Sequence, residues 1–182
     1  NALELGFGTI ADLKMVREKG FQCFGLDVSE EAVARGEMAI GQQGLDGIRL
    51  SHWQPYDIPF PDNFFSLVYG LGCIYYNLEI EKVIREIFRV MRPGGSFLFS
   101  FFSSVHSYIG YLEHVSGRIY RWSDSHPNAR LRGANLIQPN SKEEVARLFA
   151  RFEDVRVFTT ESDQTPLVES WWYVTGSKPD VA

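Results

Sequence analysis

Apolar residues along the chain fall into two alternating patterns: short unbroken runs, and longer stretches where they recur every three or four positions. Ala2 to Leu5 is the first run and predicts a short buried strand. Ala11 to Lys19 then predicts a helix with Leu13 and Val16 inward, stopped by Gly20. Phe21 to Leu26 is a second strand. Ser29 is placed to cap the helix that follows, with Glu30 and Glu31 in the first turn, where the helix dipole favours acids. That helix runs to about Gln43, before Gly44. Ile48 to Trp53 and Phe64 to Tyr69 are the third and fourth strands. Glu79 to Met91 carries Ile80, Val83, Ile84, Ile87, Phe88 and Met91 at helical spacing. Pro93 cannot continue that helix, and Gly94-Gly95 supply a turn. Ser96 to Phe102 is apolar at nearly every position, as a central parallel strand should be.

Residues 103 to 140 show no steady period. Ser141-Lys142-Glu143-Glu144 is a capping box that opens a helix with Val145, Leu148 and Phe149 inward. Val155 to Glu161 and Glu169 to Thr175 close the chain as two strands. Strand alternating with helix predicts a three-layer α/β fold around a mostly parallel sheet. No internal repeat or linker divides residues 1–182, so one domain is expected.

Composition narrows the function classes. A net charge of −5 argues against a nucleic-acid partner, which usually meets a basic face. No apolar run is long enough for a membrane span, and no signal peptide is visible. Cys23 and Cys73 lie in apolar runs and read as buried free thiols in a reducing, cytoplasmic setting. Nothing in the pattern sets an oligomeric state.

The chemistry concentrates at the ends of the first two strands. Gly6-Phe7-Gly8 follows the first, and Asp27 ends the second, nineteen residues after Gly8. Glycines let the backbone approach a ligand closely, and an acid at the second strand's end can accept from both ribose hydroxyls. Gly6-Phe7-Gly8-Thr9-Ile10-Ala11 also fits the dinucleotide fingerprint, which taken alone suggests NAD or FAD. Three features point elsewhere. Glu4 suits a cationic group better than a pyrophosphate; the alternative is a carboxylate capping loop amides. Asp57-Ile58-Pro59-Phe60-Pro61-Asp62 follows the third strand, where Asp57 can accept from an adenine amino group and Ile58 can pack on the ring; the alternative is a Pro-rich turn with a surface acid. Met91-Arg92-Pro93-Gly94-Gly95 is structural punctuation before the fifth strand.

Together these residues resemble the class I S-adenosylmethionine (SAM)-dependent methyltransferases, small-molecule branch, over Ala2 to about Phe102. The resemblance implies a Rossmann-like seven-stranded sheet whose last strand, here Glu169 to Thr175, is antiparallel, with an insertion after the fifth strand. It implies SAM as cofactor and a small-molecule acceptor. Glu4, Gly6 and Gly8 would line the methionine part, Asp27 the ribose, and Val28, Asp57 and Ile58 the adenine. Gly70 and Leu71 would pass close to the methionine moiety. Tyr75 and Tyr76 would face the acceptor as candidate catalytic residues. The sequence departs from the family pattern at Ile10, where a third glycine is common, and at Ser66, where an acid is common.

The segment 103–140 is the candidate acceptor lid or a small extra helix-hairpin unit, because it leaves the fifth strand at the end that borders the crevice in open α/β sheets. Tyr108, Tyr111 and Trp122 would wall the pocket. Arg118 and Arg121, with Arg130 and Arg132, would hold a carboxylate or phosphate; the alternative is a surface excursion with solvated arginines. His106 is a candidate to touch the acceptor or act as base. The scattered histidines lack a ligand spacing, so no metal is expected. Two competing classes stay open. An NAD-dependent oxidoreductase would use the glycine fingerprint but has no Tyr-x-x-x-Lys pair. A SAM-binding module without turnover would need no base. Methylation of nucleic-acid bases lacks its Asn-Pro-Pro-Tyr type signature at Gly70-Leu71-Gly72-Cys73.

Overall fold

The computed structural model describes residues 1–54, 56–162 and 168–180. In chain order the elements are β1 (Ala2–Leu5), α1 (Ala11–Glu18), β2 (Cys23–Asp27), α2 (Glu30–Gln43), β3 (Ile48–His52), β4 (Phe65–Gly70), α3 (Ile80–Val90), β5 (Met91–Phe102), β6 (Leu112–Ser116), β7 (Ile119–Trp122), β8 (Asn135–Ile137), α4 (Lys142–Leu148), β9 (Glu153–Ser162) and β10 (Glu169–Ser177). Seven strands form one sheet in the order β3-β2-β1-β4-β5-β10-β9. β1, β2, β3, β4 and β5 pair in parallel. β10 runs antiparallel to both β5 and β9. This is the Rossmann-like sheet with one antiparallel strand that the alternation and the resemblance predict.

The strand order reverses direction between β1 and β4, and at such a switch point two consecutive connections leave a crevice at the carboxyl ends of the strands. β1 is buried at every residue because helices cover both of its faces. On one face Ala2, Phe7, Leu13, Ala32 and Tyr69 pack with α1 and α2. On the other Leu3, Leu5 and Val68 meet Val83, Ile84 and Ile87 of α3 and Val145 and Phe149 of α4.

Local signals set the helix ends. The Ser29 hydroxyl accepts the Ala32 N–H at 3.2 Å, and Gly44 ends α2 in the left-handed region at φ 60°. The Ser141 hydroxyl accepts the Glu144 N–H at 3.3 Å and so caps α4. Leu50, Ile10 and Phe7 share the space that Gly36 leaves on α2: a Cβ there would clash with Leu50 and come within 3.3 Å of Ile10 Cγ2. An apolar residue at Ile10 serves the α1–α2 packing, which accounts for its place after the glycine turn.

Strand ends shift by one or two residues elsewhere, and two regions depart further from expectation. The residues after α3 are strand rather than turn, since β5 begins at Met91, not Ser96. Its pairing with β4 jumps from Phe65–Met91 to Leu67–Ser96, and Gly94, at φ 69°, takes up the excess. Residues 103 to 140 contain a short 3-10 turn, Ser107–Tyr111, and a second antiparallel sheet, β6-β7-β8. Trp122 at the end of β7 is fully buried and anchors that sheet to the main core beside Phe102.

Candidate functional site

β1 ends where Gly6 and Gly8 adopt φ 65° and 50°, a region open to glycine and strained for other residues. The turn is tied to the end of β2. Gly6 N–H donates to the Leu26 carbonyl at 2.7 Å, and Gly8 N–H donates to Asp27 Oδ2 at 2.9 Å. Ser29 N–H donates to Asp27 Oδ1 at 2.9 Å. Each carboxylate oxygen therefore has one lone pair held by the backbone and one left for a ligand. The loop after β4 closes on the same turn. Cys73 S–H donates to the Leu5 carbonyl at 3.0 Å, and Gly72 N–H donates to the Ser100 hydroxyl at 2.8 Å. A Cβ on Gly6 would stand 2.5 Å from the Cys73 Cβ, so this close approach demands glycine.

The crevice between these loops is a cavity of about 660 Å³. At one end Asp27, Val28, His52, Trp53 and Gln54 line it; at the other, Gly72, Cys73, Tyr76, Asn77 and Leu131 do, with Gly6 and Gly8 along the floor. Trp53 is held to β2 by its backbone N–H on the Asp27 carbonyl at 2.8 Å, and its buried indole N–H finds no acceptor among the described residues. His52 Nε2 lies 3.1 Å from the Val28 carbonyl.

Of the expected cofactor contacts, Gly6, Gly8, Asp27 and Val28 line this cavity, and the others do not. Glu4 is 3% exposed beneath the turn and accepts the Tyr69 hydroxyl at 3.1 Å. Burial, with Asp12 and Asp27 nearby, pushes its carboxyl up to about 8 against the pull of that hydrogen bond. Asp57 points to solvent. Ile58 is buried away from the cavity, its N–H on Glu86 Oε2 at 3.1 Å and its carbonyl on Arg89 at 2.8 Å. Gly70 is pressed against Leu5 and Cys73, and Leu71 faces solvent.

The expected acceptor side also divides. Tyr76 lines the cavity, whereas Tyr75 is buried behind it, and burial raises both phenols. His106 is 4% exposed and outside the cavity. Its Nδ1 accepts the Tyr108 N–H at 3.0 Å, capping the 3-10 turn, while its ring packs on Phe102 and Trp171. Burial pushes its pKa down. Tyr108, Tyr111 and Trp122 pack around His126 rather than around the cavity. Trp122 reaches it indirectly, its indole N–H donating to the Tyr76 hydroxyl oxygen at 3.2 Å. Arg118 is paired with Glu81 at 2.7 Å, Arg121 donates to Asn135 Oδ1 at 3.2 Å, and Arg132 donates to the His126 carbonyl at 2.8 Å. None of the four arginines lines the cavity.

Sequence reasoning missed His52, Trp53, Gln54, Gly72, Cys73, Asn77 and Leu131. The first five end or follow directly on β3 and β4, at the carboxyl ends that border the crevice, and could have been found by reading strand exits instead of motif letters; Asn77 follows in the same loop after β4. Leu131 lies in an aperiodic stretch and carried no signal.

Residues 3–99 match the methyltransferase domain family. Over 88 residues the chain is 36% identical to the demethylmenaquinone methyltransferase of Geobacillus stearothermophilus, covering 48% of this chain and 37% of that protein. It is 32% identical over 100 residues to the ajmaline N-methyltransferase of Rauvolfia serpentina, covering 54% and 34%. The chain thus spans little more than a third of these curated relatives. Among solved structures, a SAM-dependent methyltransferase from Methanosarcina mazei superposes with a TM-score of 0.75 at 18% identity, covering 98% of this chain and 92% of that one. An S-adenosylmethionine-dependent methyltransferase from Mesorhizobium loti does so at 0.70 and 17%, covering 98% and 90%. At such identities the superpositions speak for the fold.

Proposed function

The chain belongs to the methyltransferase domain family, and from that premise we propose that it binds SAM in the cavity between β1 and β4 and transfers its methyl group to a small molecule. The observation that carries the proposal is the unit formed by the glycine turn and Asp27 on the cavity floor, with the carboxylate already aimed by two backbone N–H groups.

The residues present fit such a cofactor. Asp27 keeps a free lone pair on each oxygen, which suits a pair of ribose hydroxyls. Gln54 offers a donor and an acceptor side by side, as the edge of adenine requires. Gly8 has open space where a Cβ would stand, so the backbone can lie against the ligand. When bound, SAM supplies a methyl group activated by a sulfonium. The chain's part is then to hold the acceptor in line and keep water out, which can supply much of the acceleration without a strong base. No phenolate is offered, because burial keeps Tyr75 and Tyr76 protonated.

The demethylmenaquinone and ajmaline methyltransferases are named for small-molecule acceptors, which supports one here. An acceptor anion would meet no lysine or arginine among the described lining residues, so the reading includes no anion clamp. The free thiols of Cys23 and Cys73 fit a cytoplasmic setting.

Tryptophan fluorescence tests the location. S-adenosylhomocysteine (SAH) is expected to change the emission through Trp53 at the cavity wall, and a Trp53→Phe variant that still binds SAH should lose most of that change. An unaltered signal in the variant would put the ligand elsewhere.

A further inference from the structure

The acceptor end of the cavity has a fixed hydrogen-bond polarity. Asn77 is 9% exposed and lines it. Its Nδ2 donates to the Ile74 carbonyl at 3.0 Å. A carbonyl can only accept, so the orientation of the carboxamide is set, and Oδ1 is the atom left for a ligand. No donor reaches it among the described residues. Tyr76 is the next lining residue. Its oxygen accepts the Trp122 indole N–H, a group that only donates, and is hydrogen-bonded by the neighbouring Tyr75 hydroxyl, which donates to it; the phenol's own proton is then left for a ligand. Burial raises the phenol and keeps that proton in place. The pair thus presents one O–H donor and one carbonyl acceptor, on a wall otherwise formed by Leu131, Cys73 and Gly72.

A hydroxyl answers both groups. It gives its proton to Asn77 and has two lone pairs, one for the Tyr76 proton and one free. A neutral amine can also donate to Asn77, but its single lone pair, delocalised into the ring in an aniline, accepts the Tyr76 proton weakly and leaves none free. A carboxylate or phosphate monoanion directed at Asn77 would set oxygen against oxygen, with no lysine or arginine among the described residues of the wall to offset it.

We propose that Asn77 and Tyr76 are the acceptor-recognition pair, and that the acceptor is an uncharged molecule presenting a hydroxyl on an apolar body. The inference rests on SAM occupying the same cavity. Trp122 is a positioning residue in it: it acts on the acceptor by fixing where the Tyr76 proton goes.

The test uses the full chain saturated with SAH and ligand-observed NMR with three probes of one shape: 4-ethylphenol, 4-ethylaniline and 4-ethylbenzoic acid. The phenol is expected to bind, and the aniline and the benzoate to bind roughly tenfold more weakly or not at all. Asn77→Leu and Tyr76→Phe should each weaken the phenol by roughly tenfold while SAH affinity, which also reports that each variant is folded, changes by less than about threefold. Benzoate or aniline binding as tightly as the phenol would overturn the proposal. So would an unchanged phenol affinity in both variants, or no phenol binding to the SAH-loaded chain. Failure of SAH to bind wild type is a separate result: it removes the cofactor reading and the acceptor pair with it.

Discussion

The backbone N–H of Gly8 donates to Oδ2 of Asp27 at 2.9 Å, joining the turn after β1 to the acid that ends β2. With the Ser29 N–H on the other oxygen, the carboxylate is oriented by the protein before any ligand arrives. Asp27→Asn would turn an NH₂ toward one of these two backbone donors. The variant is expected to lose about 1 kcal/mol of stability by urea unfolding, the scale of one half-buried hydrogen bond. Its SAH affinity should fall by roughly tenfold or more.

Gly6 and Gly8 share a left-handed backbone but not their surroundings. A Cβ on Gly6 would meet Cys73 Cβ at 2.5 Å, whereas nothing lies within 4 Å of one on Gly8. Gly8→Ala should cost only the backbone strain, about 1 kcal/mol. Gly6→Ala should cost clearly more. Combining it with Cys73→Gly, which removes the obstructing Cβ, should recover part of the loss in thermal unfolding. Equal effects of the two alanines would mean that the β1–β4 loop contact is not tight.

Glu4 gives stability a definite pH dependence. Its carboxyl is held up to about 8 in the folded chain, against 4.5 as the ordinary value. Below the lower value both states are protonated and the full stability is present. Above it the unfolded chain releases a proton that the folded chain keeps, so stability falls as pH rises, levelling off past about 8. The expected loss is on the order of a few kcal/mol across that window. Glu4→Gln should flatten the fall when urea unfolding is compared at about pH 5 and about pH 9. An identical slope in the variant would assign the dependence to other groups.

Arg89 clamps the loop between β3 and β4. It donates to the Ile58 and Phe60 carbonyls, each at 2.8 Å, and pairs with Glu86 at 2.7 Å and Asp62 at 2.8 Å. Its side chain is 32% exposed. Arg89→Ala should destabilise by roughly 2–4 kcal/mol, because it strands two carbonyls and the half-buried Glu86. Arg35→Ala, which removes only the exposed helical pair with Glu31, should cost about 0.5 kcal/mol or less. Chemical denaturation of the two variants side by side decides this.

The fold was legible wherever a local rule governs geometry. Ser29, Gly44 and Ser141 end their helices where capping chemistry places them, and the apolar stripe of α3 is its buried face. Pro93-Gly94-Gly95 misled because the same letters serve a turn and a bulged strand start, and only pairing with β4 decides between them. The insertion hid its sheet because β6 is exposed along most of its length and carries no alternation. In the site, glycines and acid were legible because backbone conformation requires them. Asp57 stood close in sequence to the strand exit but folds outward, while Gln54, three residues earlier, lines the cavity. His106 sat close to the crevice in sequence, yet its ring is spent on capping and aromatic packing.

Calorimetric titration with SAH, run in parallel with NAD and repeated on Asp27→Ala, tests the central claim most directly. The account predicts that wild type binds SAH and not NAD, and that the variant loses SAH by roughly tenfold or more while remaining folded. Binding of NAD alone, or SAH binding indifferent to Asp27, would contradict it.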